Sequence, residues 1–244
     1  MVHGVATRRG PVSKRKAPTS RSPGRPPVEP ERFIDTALAI VDANGAEALS
    51  MRTLAQQLGS GTATLYRHFA DRAELVSQVV DRVLAEAVRD VGDLEGHPWD
   101  EACRKHATAV FNALRRHRHV ASLLVDHVPT GPSAMALREA GVSALLANGF
   151  PPRLAARSYT TLAHYVVGFA IQAGSKDTDT GDGDQPPPER LRSAANRSHF
   201  PATTSVITSL TVSIEEEFTF GLGLILLGLA EFRKRERRAQ SKRG

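Results

Sequence analysis

The sequence is poor in cysteine and in long apolar runs, and each shortage narrows what the chain can be. A single cysteine, Cys103, cannot form an intramolecular disulfide and is typical of a reducing compartment. The longest apolar stretch, residues 218–232, has 15 residues, whereas a bilayer-spanning helix needs about 20. The basic N-terminus is not followed by the apolar segment of a signal peptide. We therefore expect a cytoplasmic protein without a membrane segment.

The common motifs of catalysis are also missing. There is no G-x-S-x-G elbow, no glycine-rich phosphate loop after a strand and no H-E-x-x-H pair. His164 and Tyr165 could form an acid–base pair in a cavity, but no nucleophile accompanies them. Cys103 and His106 share a helical face, yet a tetrahedral zinc site needs four ligands and a second pair is not evident. We expect no enzyme activity, no cofactor and no metal.

The net charge of +6 is concentrated at the two ends of the chain. Residues 1–28 carry seven Lys/Arg and no acid, and residues 233–244 carry seven against one acid. The part between them, 29–232, has 18 basic and 25 acidic side chains, a balance of −7. Basic ends are typical of arms that bind nucleic acid, although a tail that only solvates the chain is as common. We expect a disordered basic arm over residues 1–30 and a basic tail over 237–244.

The apolar pattern predicts an all-α fold that begins with a helix-turn-helix. Apolar residues recur at helical spacing from Arg32, and a short helix over about 51–58 follows. The glycine turn at 59–61 leads into a further helix over 62–69. Three helices within about 40 residues, the last two joined by a tight turn, describe a helix-turn-helix. We place this DNA-binding domain in residues 31–77.

The rest of the chain, residues 78–236, has the pattern of a second helical domain. A strand alternation of useful length is absent, and a polar, proline-rich loop is expected at about 175–198. The helices of this domain are predicted at about 99–117, 119–127, 132–148, 152–173 and 213–236.

The helix predicted over 62–69 has one apolar and one polar face. Leu65 and Phe69 lie four residues apart and point to the core. Arginine can hydrogen-bond guanine with two donors, and Tyr, His and Thr can donate to phosphates. A surface helix that is merely polar remains the alternative. The residues left on the outer surface or at its edge are Thr62, Ala63, Thr64, Tyr66, Arg67 and His68.

The order of residues in "MRTLAQQLGSGTATLYRHFADRAEL" (51–75) resembles the DNA-binding domain of the TetR (tetracycline-repressor) family. Ser60 and Gly61 stand where that family usually has an apolar residue and a capping serine. Glycine is an acceptable N-cap, so we expect the helix to form. The resemblance implies that bases are read by Arg52, Thr62, Ala63, Thr64 and Arg67, and that phosphates are contacted by Tyr66, His68 and Arg72.

Residues 99–132 and 217–232 are similar to the C-terminal domain of tetracycline repressors, so the resemblance covers about 32–236. It implies an effector pocket and a homodimer joined by the helices 152–173 and 213–236. The histidine and glutamate that help those repressors to seat magnesium–tetracycline align with Leu124 and Gln172, which do not suit magnesium. We therefore do not expect tetracycline chemistry. The predicted pocket residues are His106, Val110, Leu124, His127, Val128, His164 and Gln172.

These features together predict a ligand-responsive transcriptional regulator. We expect a homodimeric repressor that binds a near-palindromic, double-stranded operator and is released by an unknown small-molecule effector. An activator of the same family and a ligand-independent DNA-binding protein are the alternatives. A purely architectural DNA binder would use the basic arms but would not need a large apolar second domain.

Overall fold

The computed structural model describes residue 1 and residues 30–125, 127–175, 192, 194–195, 199–210 and 212–241. Regular structure in these residues is entirely helical, which confirms the predicted all-α fold. The predicted basic arm falls almost wholly outside the described residues, as do most of the 175–198 loop and the end of the tail. Among the described helices, none is long and apolar enough to span a membrane.

In the residues that the structure describes, the α-helices follow one another without strands between them. They are α1 (Pro30–Asn44), α2 (Met51–Leu58), α3 (Thr62–Leu65), α4 (Arg72–Val91), α5 (Trp99–Arg116), α6 (Pro132–Ala147), α7 (Pro152–Ser175), α8 (Pro201–Val206) and α9 (Ile214–Ser241). Short 3₁₀ helices span Ala46–Ala48, Ala121–Leu124 and Ile207–Ser209.

The first helices and the start of α4 form a small domain around an apolar interior. We call this domain the head. The predicted inward residues Leu65 and Phe69 are buried there, beside Phe33 and Leu54. The hydroxyl of Ser50 accepts a hydrogen bond from the Thr53 amide and begins α2. Full burial of one such large side chain stabilises the fold by about 1.5–3 kcal/mol.

Helix α4 joins the head to the second domain, which we call the core. Its 20 residues make a rod of about 30 Å. Asp71 accepts a hydrogen bond from the Glu74 amide, and the Glu74 carboxylate accepts one from the Ala70 amide. This reciprocal cap fixes the start of the rod next to the reading turn.

The core is built around α5, which packs against α4, α6 and α7, while α9 packs against α7. Phe111 of α5 stacks on Phe218 of α9, with ring centroids 4.2 Å apart. The hydroxyl of Tyr165 on α7 donates a hydrogen bond of 2.6 Å to the Phe218 carbonyl. These contacts clamp α9 along one side of the core.

Two glycines let backbones approach where a side chain could not fit. A Cβ placed at Gly221 would overlap the Tyr165 hydroxyl. A Cβ placed at Gly174, near the end of α7, would overlap the carbonyl oxygen of Arg118 in the turn after α5. The end of α7 is thereby seated directly on that turn.

The helix predicted for the segment after α5 is wrong. The helix predicted over 119–127 is reduced to the four-residue 3₁₀ helix Ala121–Leu124. Val125 and Val128 are 66% and 79% exposed, so the apolar run does not form one buried stripe. Pro129 follows closely, and the residue before a proline disfavours α-helix. Helix α8 was not predicted, because its six residues give too short a pattern.

Candidate reading surface and effector cavity

The predicted DNA-reading residues come together at the exposed end of the head. Helix α3 ends at Leu65, so the helix expected over 62–69 is shorter than predicted. Tyr66, Arg67 and His68 lie on the turn that follows, held by amide hydrogen bonds to the preceding turn. The exposed members of the set are Arg52, Thr62, Ala63, Tyr66, Arg67, His68 and Arg72, with Thr64 half-buried. Their contact with bases or phosphates remains a prediction.

Two of these side chains have structural partners inside the head. The ring of His68 lies 4.7 Å from that of Phe33, which fixes its orientation. Arg72 donates from Nε to the Leu49 carbonyl at 2.8 Å and from Nη2 to the Ala46 carbonyl at 3.4 Å. The guanidinium of Arg72 therefore braces the segment between α1 and α2, and fewer of its donors remain for a phosphate.

The core encloses a cavity of about 860 Å³ between α4, α5, α6 and α7. Its wall is mostly aliphatic, as is usual for small-molecule sites. Six of the seven residues predicted for the pocket line it: His106, Val110, Leu124, His127, Val128 and His164.

Gln172 is the exception. Its side chain is exposed and does not line the cavity, whereas its neighbour Ile171 does. Successive residues of a helix point about 100° apart, so one step along α7 turns the side chain away from the cavity. Alignment with tetracycline repressors predicted Gln172, and sequence alone could not distinguish this position from its neighbour Ile171. Sequence reasoning also missed four wall residues that carry polar or sulfur atoms, Cys103, Arg138, Tyr159 and Thr160.

The wall carries little fixed charge. Arg138 is the one Lys, Arg, Asp or Glu among the described lining residues, and its Nη2 donates to the Pro129 carbonyl at 3.2 Å. Burial raises the pKa of the Cys103 thiol to about 12, so the thiol stays protonated. Burial also raises the pKa of Tyr159, although Arg138 acts in the opposite direction. The described part of the chain contains no group of three or more His, Cys, Asp or Glu placed to hold a metal ion.

His106 is the most deeply buried histidine of the wall. Its ring meets that of Tyr159 edge to face, with centroids 5.9 Å apart, and both rings press against Gly141. Burial lowers the pKa of His106 to about 4, so the ring is neutral at neutral pH. Within the described structure, its Nδ1 is buried without a hydrogen-bond partner. The site thus holds a polar ring that is not satisfied by the protein around it.

The buried His106 makes folding stability dependent on pH. In the unfolded chain the ring gains its proton near pH 6.5, whereas in the folded protein it does so only near pH 4. The unfolded state therefore binds more protons between these values, and stability falls as the pH drops from 6.5 to 4. The shift corresponds to about 3 kcal/mol.

We expect His106→Gln to remove this dependence, as measured by urea unfolding at a series of pH values. His199→Gln, at an exposed position, is the control and should keep it. An unchanged slope in His106→Gln would contradict the assignment.

The cavity is coupled to α4 at two points. Leu84 of α4 lines the cavity wall. The Asp81 carboxylate, one turn earlier, accepts hydrogen bonds from the amides of Ser133 (3.2 Å) and Ala134 (3.0 Å) at the start of α6. The rod that carries the head is thus fixed to the wall of the cavity.

Helix α9 presents a second, exposed apolar face. Phe218, Leu222 and Leu226 are buried in the core. On the opposite side of the same helix, Phe220, Leu224 and Leu227 are each more than half exposed. We call these three residues the α9 face.

Two family profiles match the chain, and together they span most of it. Residues 33–79 match "Bacterial regulatory proteins, tetR family", and residues 92–233 match "Tetracyclin repressor-like, C-terminal domain". The second match alone covers more than half of the chain.

Curated relatives and solved structures agree with these matches. The HTH-type transcriptional repressor DrrR1 of Streptomyces coeruleorubidus is 29% identical over 238 residues, covering 91% of this chain and 86% of its own. The class E tetracycline repressor protein of Escherichia coli is 28% identical, covering 81% and 88%. The TetR family protein ActR of Streptomyces coelicolor, solved with actinorhodin, superposes with a TM-score of 0.75 at 30% identity, covering 86% and 98%.

Proposed function

Because the chain belongs to the TetR family of bacterial transcriptional regulators, we propose that it is a homodimeric repressor. A small organic molecule releases this repressor from its operator. The observation that carries the proposal is the joining of an exposed reading surface to an apolar cavity by one helix, α4. A binder of DNA alone has no use for such a cavity. The match to characterised repressors favours repression over activation.

The wall chemistry defines the class of effector. Acidic side chains are missing from the described lining, so a cation would find no counter-charge there. The cavity suits a largely apolar molecule that is neutral or anionic, with hydrogen-bonding groups for Tyr159 and Thr160. The relative ActR, which was solved in complex with actinorhodin, supports an organic molecule as the effector. Leu124 offers magnesium no oxygen, which argues against a metal-chelated effector.

The α9 face supports the dimer. Three large apolar side chains on one face of a helix would remain in water in a single subunit. A second copy that presents the same face would cover them, as a two-fold interface requires. Each dimer then offers two reading surfaces, which need two half-sites about one helical turn or a small multiple apart.

The proposal is tested by selecting duplexes from random DNA with the purified protein. We expect enrichment of an inverted repeat. We also expect apolar compounds that are anionic or neutral and bind the cavity to dissociate the protein from the enriched duplex. A protein that enriches no sequence is not an operator-binding regulator. A protein that enriches one but responds to no ligand of this class is the ligand-independent alternative.

Arg67 should read a base in the selected duplex. It is exposed on the turn after α3, and arginine can hold guanine with two hydrogen bonds. We expect Arg67→Ala to cost about 1–3 kcal/mol at one base pair and to relax preference there, whereas Tyr66→Phe weakens all duplexes alike. Fluorescence anisotropy with duplexes that differ in single base pairs measures both effects.

Arg153→Ala, at an exposed position of α7, is the control and should bind like wild type. If Arg67→Ala binds as tightly and as selectively as wild type, Arg67 does not read a base.

A further inference from the structure

The turn at the end of α5 holds a histidine between carboxylates of two other helices. Nδ1 of His117 lies 2.8 Å from Oδ2 of Asp42 on α1, and Nε2 lies 3.2 Å from Oε1 of Glu86 on α4. Only 17% of the His117 side chain is exposed. One imidazole thus touches a helix of the head, the rod that carries it and the central helix of the core.

The two contacts determine how many protons the ring carries. A carboxylate can only accept hydrogen bonds, and a neutral imidazole has a single N–H to donate. Both contacts are therefore hydrogen bonds only when each ring nitrogen of His117 bears a proton. A neutral ring would turn one bare lone pair toward a carboxylate oxygen at hydrogen-bonding distance.

The charges around the ring favour that second proton. Arg116 donates from Nε to Glu86 at 3.0 Å and from Nη2 to Asp90 at 2.8 Å. Burial opposes ionisation of Glu86, but the hydrogen bonds from His117 and Arg116 outweigh it and hold the pKa of Glu86 below its ordinary value. The other oxygen of Asp42 is buried and lacks a hydrogen-bond partner among the described residues. The cluster thus holds three carboxylates and one arginine, and a proton on His117 supplies a second cation.

The position of the cluster gives that proton a role. Helix α5 lines the effector cavity with Cys103, His106 and Val110, and His117 follows the end of the same helix. Asp42 lies near the end of α1, whose Phe33 packs beneath the reading turn. The Asp35–Arg82 ion pair also joins α1 to α4, but it contains no histidine and does not reach α5.

We propose that doubly protonated His117 is a positioning residue that holds the head at its DNA-reading angle, and that operator affinity falls as the pH rises and this proton is lost. The sign follows from the partners: the contacts to Asp42 and Glu86 exist in full when the ring is charged and weaken when it becomes neutral. The inference rests on the proposed function, because it names a control on the same DNA-reading head.

The first test uses a duplex selected from random DNA by the wild-type protein, with affinity measured from about pH 6 to about pH 8, which brackets ordinary histidine titration. We expect wild-type affinity to fall on the order of tenfold over this range, which corresponds to about 1.4 kcal/mol. His117→Gln should bind weakly at every pH, with a flat profile. His119→Gln, two residues away, is the matched control and should follow wild type. Equal slopes in His117→Gln and wild type overturn the proposal, as does a wild-type affinity that rises with pH.

Asp42→Asn provides a second variant should His117→Gln fail to fold. It removes the carboxylate on the head side only, and the same flat profile is expected. A wild-type profile in this variant would show that the head is not held through this contact.

The second test needs no DNA and therefore separates failure of this inference from failure of the proposed function. Ring ¹⁵N chemical shifts of His117 in the full chain report whether both nitrogens carry protons. We expect two protons at about pH 6 and loss of one as the pH is raised. A neutral ring at that pH overturns the inference even if the protein binds its operator normally.

Discussion

Replacing Leu224 and Leu227 together by glutamate should turn the protein into a folded monomer that no longer holds its operator. Both side chains are exposed on the α9 face, at 55% and 69%, so the change places four carboxylates in the proposed interface of a dimer without touching the core. A single head binds one half-site, and losing the linked second site lowers affinity by about 10²-fold or more. Sedimentation velocity at micromolar concentration measures the assembly, and anisotropy measures DNA binding.

Ala136→Glu, on an exposed position of α6 outside that face, is the control and should remain dimeric. If the wild-type protein sediments as a monomer at micromolar concentration, the result would contradict both the proposed interface and the binding through two heads that depends on it. A variant that stays dimeric would place the interface elsewhere.

The same helix marks a limit of the sequence analysis. Apolar residues lie nearly all round helix α9. The sequence therefore predicted that both the core and a partner subunit are needed to cover them, but it could not assign each residue to one of the two. Leu226 belongs to the side that faces the core, since the structure buries this side chain at 3% exposure. Leu226→Glu would therefore act on folding. Gly228 is exposed with open space at its Cβ position, and a charge there tests assembly alone.

Filling the cavity should abolish the response to effector while leaving DNA binding intact. Val110 lies on α5 and faces the cavity, and a tryptophan there would occupy space that a ligand needs. We expect Val110→Trp to bind the fluorescent probe 1-anilinonaphthalene-8-sulfonate, an apolar anion, at least about tenfold more weakly than wild type. It should hold the selected duplex with wild-type affinity and be insensitive to effectors that release wild type.

Thr108→Trp is the matched control, because Thr108 lies two residues earlier on α5 and faces solvent. It should bind the probe like wild type. If Val110→Trp binds the probe undiminished, the ligand does not occupy this cavity.

Prediction from sequence succeeded where periodicity is long and failed where it is short. Helices α5, α6 and α7 begin at the predicted residues because each starts at or directly after a proline, which is typical of a first helical turn. The reading set was predicted from its motif, since the order of small and polar residues around Tyr66 is distinctive, and its contacts with DNA stay a prediction. A helix was wrongly predicted over 119–127 and helix α8 was missed, because a few apolar residues do not reveal whether a core lies beside them.

The cavity shows a related limit. His106 and Val110 could be placed by alignment with a similar domain, whereas Tyr159 and Arg138 could not, since they reach the wall only through the way α6 and α7 cross α5. The His117 cluster was equally invisible, because its three helices are brought together by the fold, across 75 residues between Asp42 and His117. Long-range side-chain meetings of this kind leave no periodic trace in the sequence.

The seating of Gly174 on the Arg118 carbonyl has a consequence for how this protein can evolve. Any side chain there must push α7 away from the turn after α5, so in a library of all single substitutions this position should be as intolerant as a functional residue. Gly168 lies on the same helix with open space at its Cβ position, and its alanine variant should pass unnoticed. If the glycine at 174 is invariant among descendants of this chain, the cause would be this backbone contact. Its conservation would then not indicate a role in binding the ligand.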